Sequence, residues 1–200
     1  MIVAKHMTER PVVVGPDDFL LTAERKMKDG GFRRLPVVHT GILVGIVTDR
    51  DLRRYHDSLD KVRVCLVMAH PVITVVPSDG VEKAARLMLQ HKIGGIPVVR
   101  DQEVVGIITR GDLLRVFVEI LDGSDEGTAR IDFLPASDKG ALNEAFAAAE
   151  QGGAEVLALG THRERWGGKP ICYFRLRSED PNKLAELLRQ KGYAVVGVYE

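Results

Sequence analysis

Apolar and polar positions change their period several times along the chain, and each change marks an element. Two short β-branched stretches, Pro11–Val14 and Val72–Val76, read as strands. A proline with acidic or serine neighbours follows each and opens a helix. Leu20, Ala23 and Met27 then recur at helical spacing, as do Val81, Ala84, Ala85 and Met88. Gly30-Gly31 ends the first helix, and Gly94-Gly95 follows the second. Paired strands come next: Leu35–His39 with Leu43–Thr48, and Ile96–Arg100 with Val104–Thr109. Their connections, His-Thr-Gly-Ile and Arg-Asp-Gln-Glu, are polar and hairpin-sized. A second helix closes each half, from about Asp49 and Arg110.

The two halves are copies. With a shift of 61, residues 7–53 lie over 68–114 without a gap. Met7 falls on Met68, Pro16 on Pro77 and Asp18 on Asp79. Pro36-Val37-Val38 falls on Pro97-Val98-Val99, and Val44-Gly45-Ile46 on Val105-Gly106-Ile107. Thr48, Asp51 and Leu52 fall on Thr109, Asp112 and Leu113. So many identities at one offset mean a duplicated unit, which predicts packing about a pseudo-twofold axis. The segments expected are 1–61 and 62–122 for the repeats, a polar Gly-rich linker at 123–127, and a further domain over 128–200.

Beyond the linker the pattern changes. Thr128–Leu134 alternates as a strand, and Ala141–Glu150 is an Ala-rich helix. Ala154–Leu159 and Pro170–Leu176 read as strands around a turn at His162–Lys169. Pro181–Gln190 carries Leu184, Leu187 and Leu188 on one helical face, and Tyr193–Tyr199 is a last strand. The order βαββαβ is the ferredoxin-like arrangement, so the fold class expected is α/β (α+β).

Composition narrows the function. Hydrophobic residues make up 45% of the 200, an ordinary globular share. Lys+Arg and Asp+Glu are both 28, with no basic stripe, which argues against a nucleic-acid partner. No apolar run reaches the roughly 18 residues of a membrane span. Lys5, His6, Glu9 and Arg10 interrupt any leader-like stretch, and a cytoplasmic protein is expected by elimination. Cys65 and Cys172 each stand alone in apolar stretches and read as buried, reduced core residues. The six histidines lack zinc-site spacing, so no metal is expected. No Walker loop, G-x-G-x-x-G or placeable Ser-His-Asp set is present, and nothing points to an enzyme or a required cofactor.

The candidate chemistry lies at Thr48-x-x-Asp51 and Thr109-x-x-Asp112. Gly45 and Gly106, inside strands, allow another group close to the backbone. Each Thr begins a helix, where free N–H groups attract phosphate. Each Asp follows one turn on, and a carboxylate suits the adjacent hydroxyls of a ribose. The same pattern is also a capping box, and the two readings are compatible. Arg50 and Arg110 sit within the motifs, and Arg33 and Arg34 precede Pro36 where the second copy has Gly94 and Gly95. A guanidinium can clamp phosphate with two bonds, although a solvated surface arginine is the alternative at each position.

Val44-Gly45-Ile46-Val47-Thr48-Asp49-Arg50-Asp51-Leu52 and Val105-Gly106-Ile107-Ile108-Thr109-Arg110-Gly111-Asp112-Leu113 resemble the motif of the CBS domain. With the Met7-Thr8 start and the two Pro-Val-Val segments, residues 1–122 resemble a pair of such domains, a Bateman module. The resemblance implies a regulatory protein that binds adenosine ligands between its repeats. In that family the Asp holds the ribose, the Thr meets the phosphate, and adenine slides between apolar strands and the loop before Pro36 or Pro97. One site is then expected at Thr48, Arg50, Asp51, Arg33 and Arg34, fit for AMP, ADP or ATP. The other is expected at Thr109, Arg110, Asp112, Gly94 and Gly95, roomier and suited to adenosine or S-adenosylmethionine. A homodimer through stacked modules and an unidentified regulated protein are implied as partners. The alternative is a ligand-free dimerising scaffold.

The C-terminal pattern, after such a pair, resembles an ACT domain. Gly140 and Leu142 match that family's Gly-x-Leu at the first helix, which makes Gly140 the candidate contact for an amino-acid ligand. The Asp-x-Pro that should precede them is missing, and Gly140 as a simple helix start is the alternative. Trp166, which follows Arg163 and Arg165, is a candidate interface anchor or a packed ring.

Overall fold

The computed structural model describes residues 1–122, 127–135, 141–166 and 169–199, with backbone alone at 121–122, 141, 163–166 and 169. The chain divides into two compact units, Met1–Phe117 and Val118–Glu200. Among the described residues no helix is long and apolar enough to cross a membrane.

The duplicated region runs β1 (Thr8–Glu9), α1 (Leu20–Gly30), β2 (Arg34–His39), β3 (Ile42–Thr48), α2 (Asp49–Arg53), α3 (Val81–Gln90), β4 (Gly95–Arg100), β5 (Glu103–Thr109) and α4 (Arg110–Asp122). Short 3-10 turns at Val3–Lys5 and Val64–Leu66 stand at equivalent places in the two copies. The β2–β3 and β4–β5 hairpins turn on Thr40-Gly41 and Asp101-Gln102, all four with positive φ. Such turns match the twist of antiparallel strands. The named strands of this sheet pair antiparallel, with β5 bonded to β4, to β1 and, at Glu103–Ile42, to β3.

The strands expected at Pro11–Val14 and Val72–Val76 shrink to one parallel bridge each, Val14 to Val37 and Val75 to Val98. Proline explains the loss. Pro36 and Pro97, in the facing strands, have no N–H to extend the ladder, and Pro11, Pro16, Pro71 and Pro77 bracket the bridges.

Two cores fill the first unit, and each takes a turn from the other copy. Val3 is fully buried with Val75, Val81, Ala84 and Met88 of the second copy. Its equivalent Val64 is fully buried with Val14, Leu20, Ala23 and Met27 of the first. Backbone bonds repeat the exchange: Val3 N–H donates to Asp79 C=O at 2.8 Å, and Val64 N–H to Asp18 C=O at 2.9 Å. The glycines seal it. A Cβ on Gly45 would stand 2.4 Å from the Met68 sulfur, and one on Gly106 2.4 Å from that of Met7. Each contact maps onto the other under the shift of 61, which is the mark of an isologous twofold. The group that the strand glycines admit is therefore a methionine.

Cys65 is exposed rather than buried, because Val64 takes the inward position of its 3-10 turn. Cys172 is buried as expected.

The second unit runs β6 (Thr128–Leu134), α5 (Ala141–Gln151), β7 (Glu155–Trp166), β8 (Lys169–Arg177), α6 (Pro181–Gln190) and β9 (Ala194–Tyr199). Its antiparallel sheet has the order β7-β8-β6-β9. Ile131, Phe133, Phe174 and Leu176 form one core with Ala145, Ala148, Ala149, Leu184, Ala185 and Leu188. The alternate residues carry polar groups. Arg130 makes a two-pronged ion pair with Asp132, at 2.7 and 2.9 Å, and lies over the Tyr173 ring. Residues 162–166, expected as a turn, extend β7 instead, with Arg165 opposite Pro170 and Trp166 opposite Lys169. A register shift between Thr161 and Arg165 lets a charged stretch stay paired. Gly140 and residues 123–126 lie outside the described residues, as do the side chains of Arg163, Arg165 and Trp166.

Candidate functional site

Both Thr-x-x-Asp segments adopt capping geometry. Asp51 Oδ2 accepts the Thr48 N–H at 2.9 Å and the Thr48 hydroxyl at 2.6 Å. Asp112 Oδ2 accepts the same pair from Thr109 at 2.8 and 2.6 Å. Both bonds fall on a single oxygen; the second oxygen of Asp112 faces the Arg115 guanidinium at 3.6 Å. Asp112 is buried and Asp51 half-buried. α2 has only five residues, too few for a strong end dipole, whereas α4 has thirteen. Attraction for an anion at Thr48 therefore falls mainly to side-chain cations.

Thr48 and Asp51 open onto a cleft of about 480 Å³ between the repeats. That is within the range of small-molecule sites. Arg33, Arg34 and Arg50 line it, as expected. Gly94 and Gly95, expected at the Thr109 site, line this cleft too. The reason is the twofold: positions 33–34 and 94–95 are equivalents that meet across the axis. Arg34 lies on the glycine pair. A Cβ on Gly94 or Gly95 would come within 2.6 or 2.8 Å of its terminal nitrogens. Arg110 is adjacent, its N–H donating to Gly94 C=O at 3.2 Å, as the Asp49 N–H does to Arg33 C=O at 3.0 Å. Thr109 and Asp112 are not among the residues that line this cleft.

Val72, Ile73, His91 and Lys92, which the sequence does not single out, line the cleft as well. In all, four formal cations line the cleft against two carboxylates, Asp49 and Asp51. Burial presses the Arg34 guanidinium below its usual pKa, Arg110 and Arg33 add to this, and Asp49 pulls the other way. Burial raises the Asp49 pKa, but the Arg53 bond and neighbouring charges outweigh it and leave the carboxyl below its usual range.

The CBS domain model matches residues 3–58 and 63–119, more than half of the chain. The chain belongs to the CBS-domain family. The CBS domain-containing protein YhcV of Bacillus subtilis is 36% identical over 110 residues, 54% of this chain and 79% of that protein. MJ1225 of Methanocaldococcus jannaschii is 34% identical over 131 residues, 58% of this chain, and the match spans only 47% of that protein. Two solved CBS structures align with a TM-score of 0.55. One is the CBS domain pair of protein MJ0100 in complex with 5′-methylthioadenosine and S-adenosyl-L-methionine, 29% identical over 58% of this chain and 95% of its own. The other is CBSX2 in complex with AMP, 32% identical over 60% of this chain and 98% of its own. The CBS pair is thus present here, and Thr48 and Asp51 of its first copy line the cleft between the repeats.

Proposed function

We propose that this chain is a regulatory sensor that binds an adenosine nucleotide or derivative in the cleft between its CBS repeats. The observation that carries the reading is the cleft itself, where Thr48 and Asp51 stand beside Arg33, Arg34 and Arg50. The ligands held by MJ0100 and CBSX2 support the adenosine class. Asp51 holds the ribose hydroxyls with its second carboxylate oxygen, Thr48 and the arginines meet phosphate, and the apolar wall at Val72 and Ile73 receives the base. Thr109, Arg110 and Asp112 form the equivalent second site. The segments are 1–61, 62–122, a linker at 123–127 and an ACT-like domain over 128–200, which relays binding to a regulated protein. No step of this needs catalysis by the chain or a bound cofactor.

The test is thermal stability of the purified protein with AMP, ADP, ATP, S-adenosylmethionine, GTP and amino acids. A ligand at 100 times its Kd adds about 2.7 kcal/mol to the folded state. A shift with an adenosine compound, absent with GTP and lost in the Asp51→Ala/Asp112→Ala double variant, supports the sensor. A shift in none sinks it.

One observation favours a second reading, a homodimeric scaffold. α4 exposes Leu114, Phe117, Val118 and Ile120, an apolar group on a helix surface. Light scattering of wild type against Leu114→Lys/Phe117→Lys tests this surface: dimer in the first and monomer in the second supports it.

A further inference from the structure

Ile131, Phe133, Phe174 and Leu176 of the second sheet pack with the helices α5 and α6. Side chains alternate along a strand, so Arg130, Asp132 and Tyr173 lie on the other face. Gly197 and Tyr199 join them there by their register with Asp132 and Arg130. One cross-strand row reads Gly160, Tyr173, Asp132, Gly197, with a glycine at each end. Each glycine is roofed by a tyrosine. A Cβ on Gly160 would stand 2.3 Å from the Tyr173 ring, and one on Gly197 2.6 Å from the Tyr199 hydroxyl. Both rings therefore lean over the sheet. Arg130 is held between them, its guanidinium carbon 4.7 Å from the Tyr173 ring centre and 5.6 Å from that of Tyr199. Its Nε and Nη2 donate to Asp132 at 2.7 and 2.9 Å, and Nη2 also meets His162 Nε2. Nη1 bonds nothing among the described residues, and the side chain is 25% exposed. The buried Asp132 thus fixes the guanidinium by one edge and leaves another open. Arg175, directly opposite Arg130 in the register, adds a second guanidinium to this face.

We propose that this face of the βαββαβ unit binds a planar aromatic anion, its ring stacked on Tyr199 and its charge held by Arg130. Tyr199 is 54% exposed and offers ring area beyond what Arg130 covers. Stacking and a charge-assisted bond then act on adjacent parts of one ligand. An arginine already fixed by a carboxylate and two rings loses little freedom on binding, which favours affinity. The glycines at 160 and 197 serve the same end, because a side chain at either would displace a tyrosine. Two sources share this chemistry: an aromatic carboxylate, and the base and phosphate of a mononucleotide. The site uses no residue of the first unit, so it is independent of the cleft at Thr48.

The experiment is an NMR titration of the isotope-labelled full chain, read at the amides of Gly160 and Gly197 and at Arg130 Nε–H. The probes are benzoate, uridine monophosphate, cyclohexanecarboxylate and benzamide. Benzoate should give saturable shifts at all three reporters. Cyclohexanecarboxylate, which keeps the charge without the aromatic ring, should bind at least about fivefold more weakly. Benzamide, which keeps the ring without the charge, should also bind at least about fivefold more weakly. Uridine monophosphate binding tighter than benzoate supports the site and makes its ligand a nucleotide; the reverse order supports it and makes the ligand an aromatic carboxylate. Tyr199→Ser should abolish the preference for benzoate over cyclohexanecarboxylate. Arg130→Gln should abolish the preference for benzoate over benzamide. Tyr199 is exposed on an edge strand, so its variant keeps the test decisive where Arg130→Gln does not fold. No saturable shift with either aromatic anion overturns the proposal. So does equal binding of benzoate, cyclohexanecarboxylate and benzamide, or a Tyr199→Ser protein with unchanged preferences.

Discussion

Asp51 is occupied before any ligand arrives, since one of its oxygens closes the cap on α2. Cap and ligand contact can be separated by substitution. Asp51→Ala removes both, and should cost about 1 kcal/mol of stability and about 1.5–3 kcal/mol of AMP affinity. Asp51→Asn keeps an acceptor for the Thr48 N–H, so urea unfolding should stay near wild type while calorimetry still records weaker AMP binding. Equal stability loss in both variants would show that the charge, not the acceptor, holds the cap. Asp79 offers a pH test. The Val76 N–H, with Lys83 at 2.9 Å, holds its carboxyl below the usual pKa near 3.8. A depressed folded pKa stabilises above the unfolded value, and that stability is lost as pH falls through the folded one. Melting between pH 5 and about pH 2 should therefore fall less steeply in Asp79→Asn than in wild type. Thr48 and Asp51 were legible from the sequence because their chemistry is local, one helical turn apart. That Gly94 and Gly95 also line the Thr48 cleft is not legible from the sequence, because the copies are related by translation in sequence and by rotation in space. Residues equivalent across an axis then share one cleft. Cys65 was misread for a simpler reason: an apolar stretch in a 3-10 turn has one inward position, and Val64 takes it.

At the scale of elements, the duplication is less self-contained than the sequence suggests. Period and turn residues locate the paired strands, both hairpins and the helices α1, α3, α5 and α6 to within about a residue or two, as is usual for boundaries. They show which residues are buried, but not in which core. Val3 and Val64 open their repeats, yet each is fully buried with the opposite one. Val3→Ala and Val64→Ala each delete two buried carbons and leave a cavity, and each should cost roughly 2 kcal/mol. The exchange makes a sharper prediction about location. Hydrogen exchange should report faster opening of α3 and β4 in Val3→Ala, and of α1 and β2 in Val64→Ala. Loosening of each variant's own repeat would contradict the exchanged cores.

Among the described residues, two core clusters lie in the first unit and one in the second. The cleft that holds Thr48 and Asp51 lies entirely among residues of the first unit. Ligand linkage acts on the equilibrium that forms the binding site. Differential scanning calorimetry with saturating AMP should therefore shift the transition of the CBS unit. At 100 times the Kd the gain is about 2.7 kcal/mol, which for a unit of this size is a rise of several degrees. The transition of the βαββαβ unit should stay where it is, because its sheet and helices bury their apolar faces against one another. Phe133→Ala provides the assignment. Its ring packs against Phe174 at 4.9 Å and Tyr193 at 5.8 Å. Its loss should lower the second transition by about 3–5 kcal/mol of stability and leave the AMP shift of the first intact. A single transition that moves as a whole with both ligand and Phe133→Ala would mean that the units unfold cooperatively. The AMP signal would then reach the C-terminal sheet through stability itself, since coupling between sites is reciprocal in free energy.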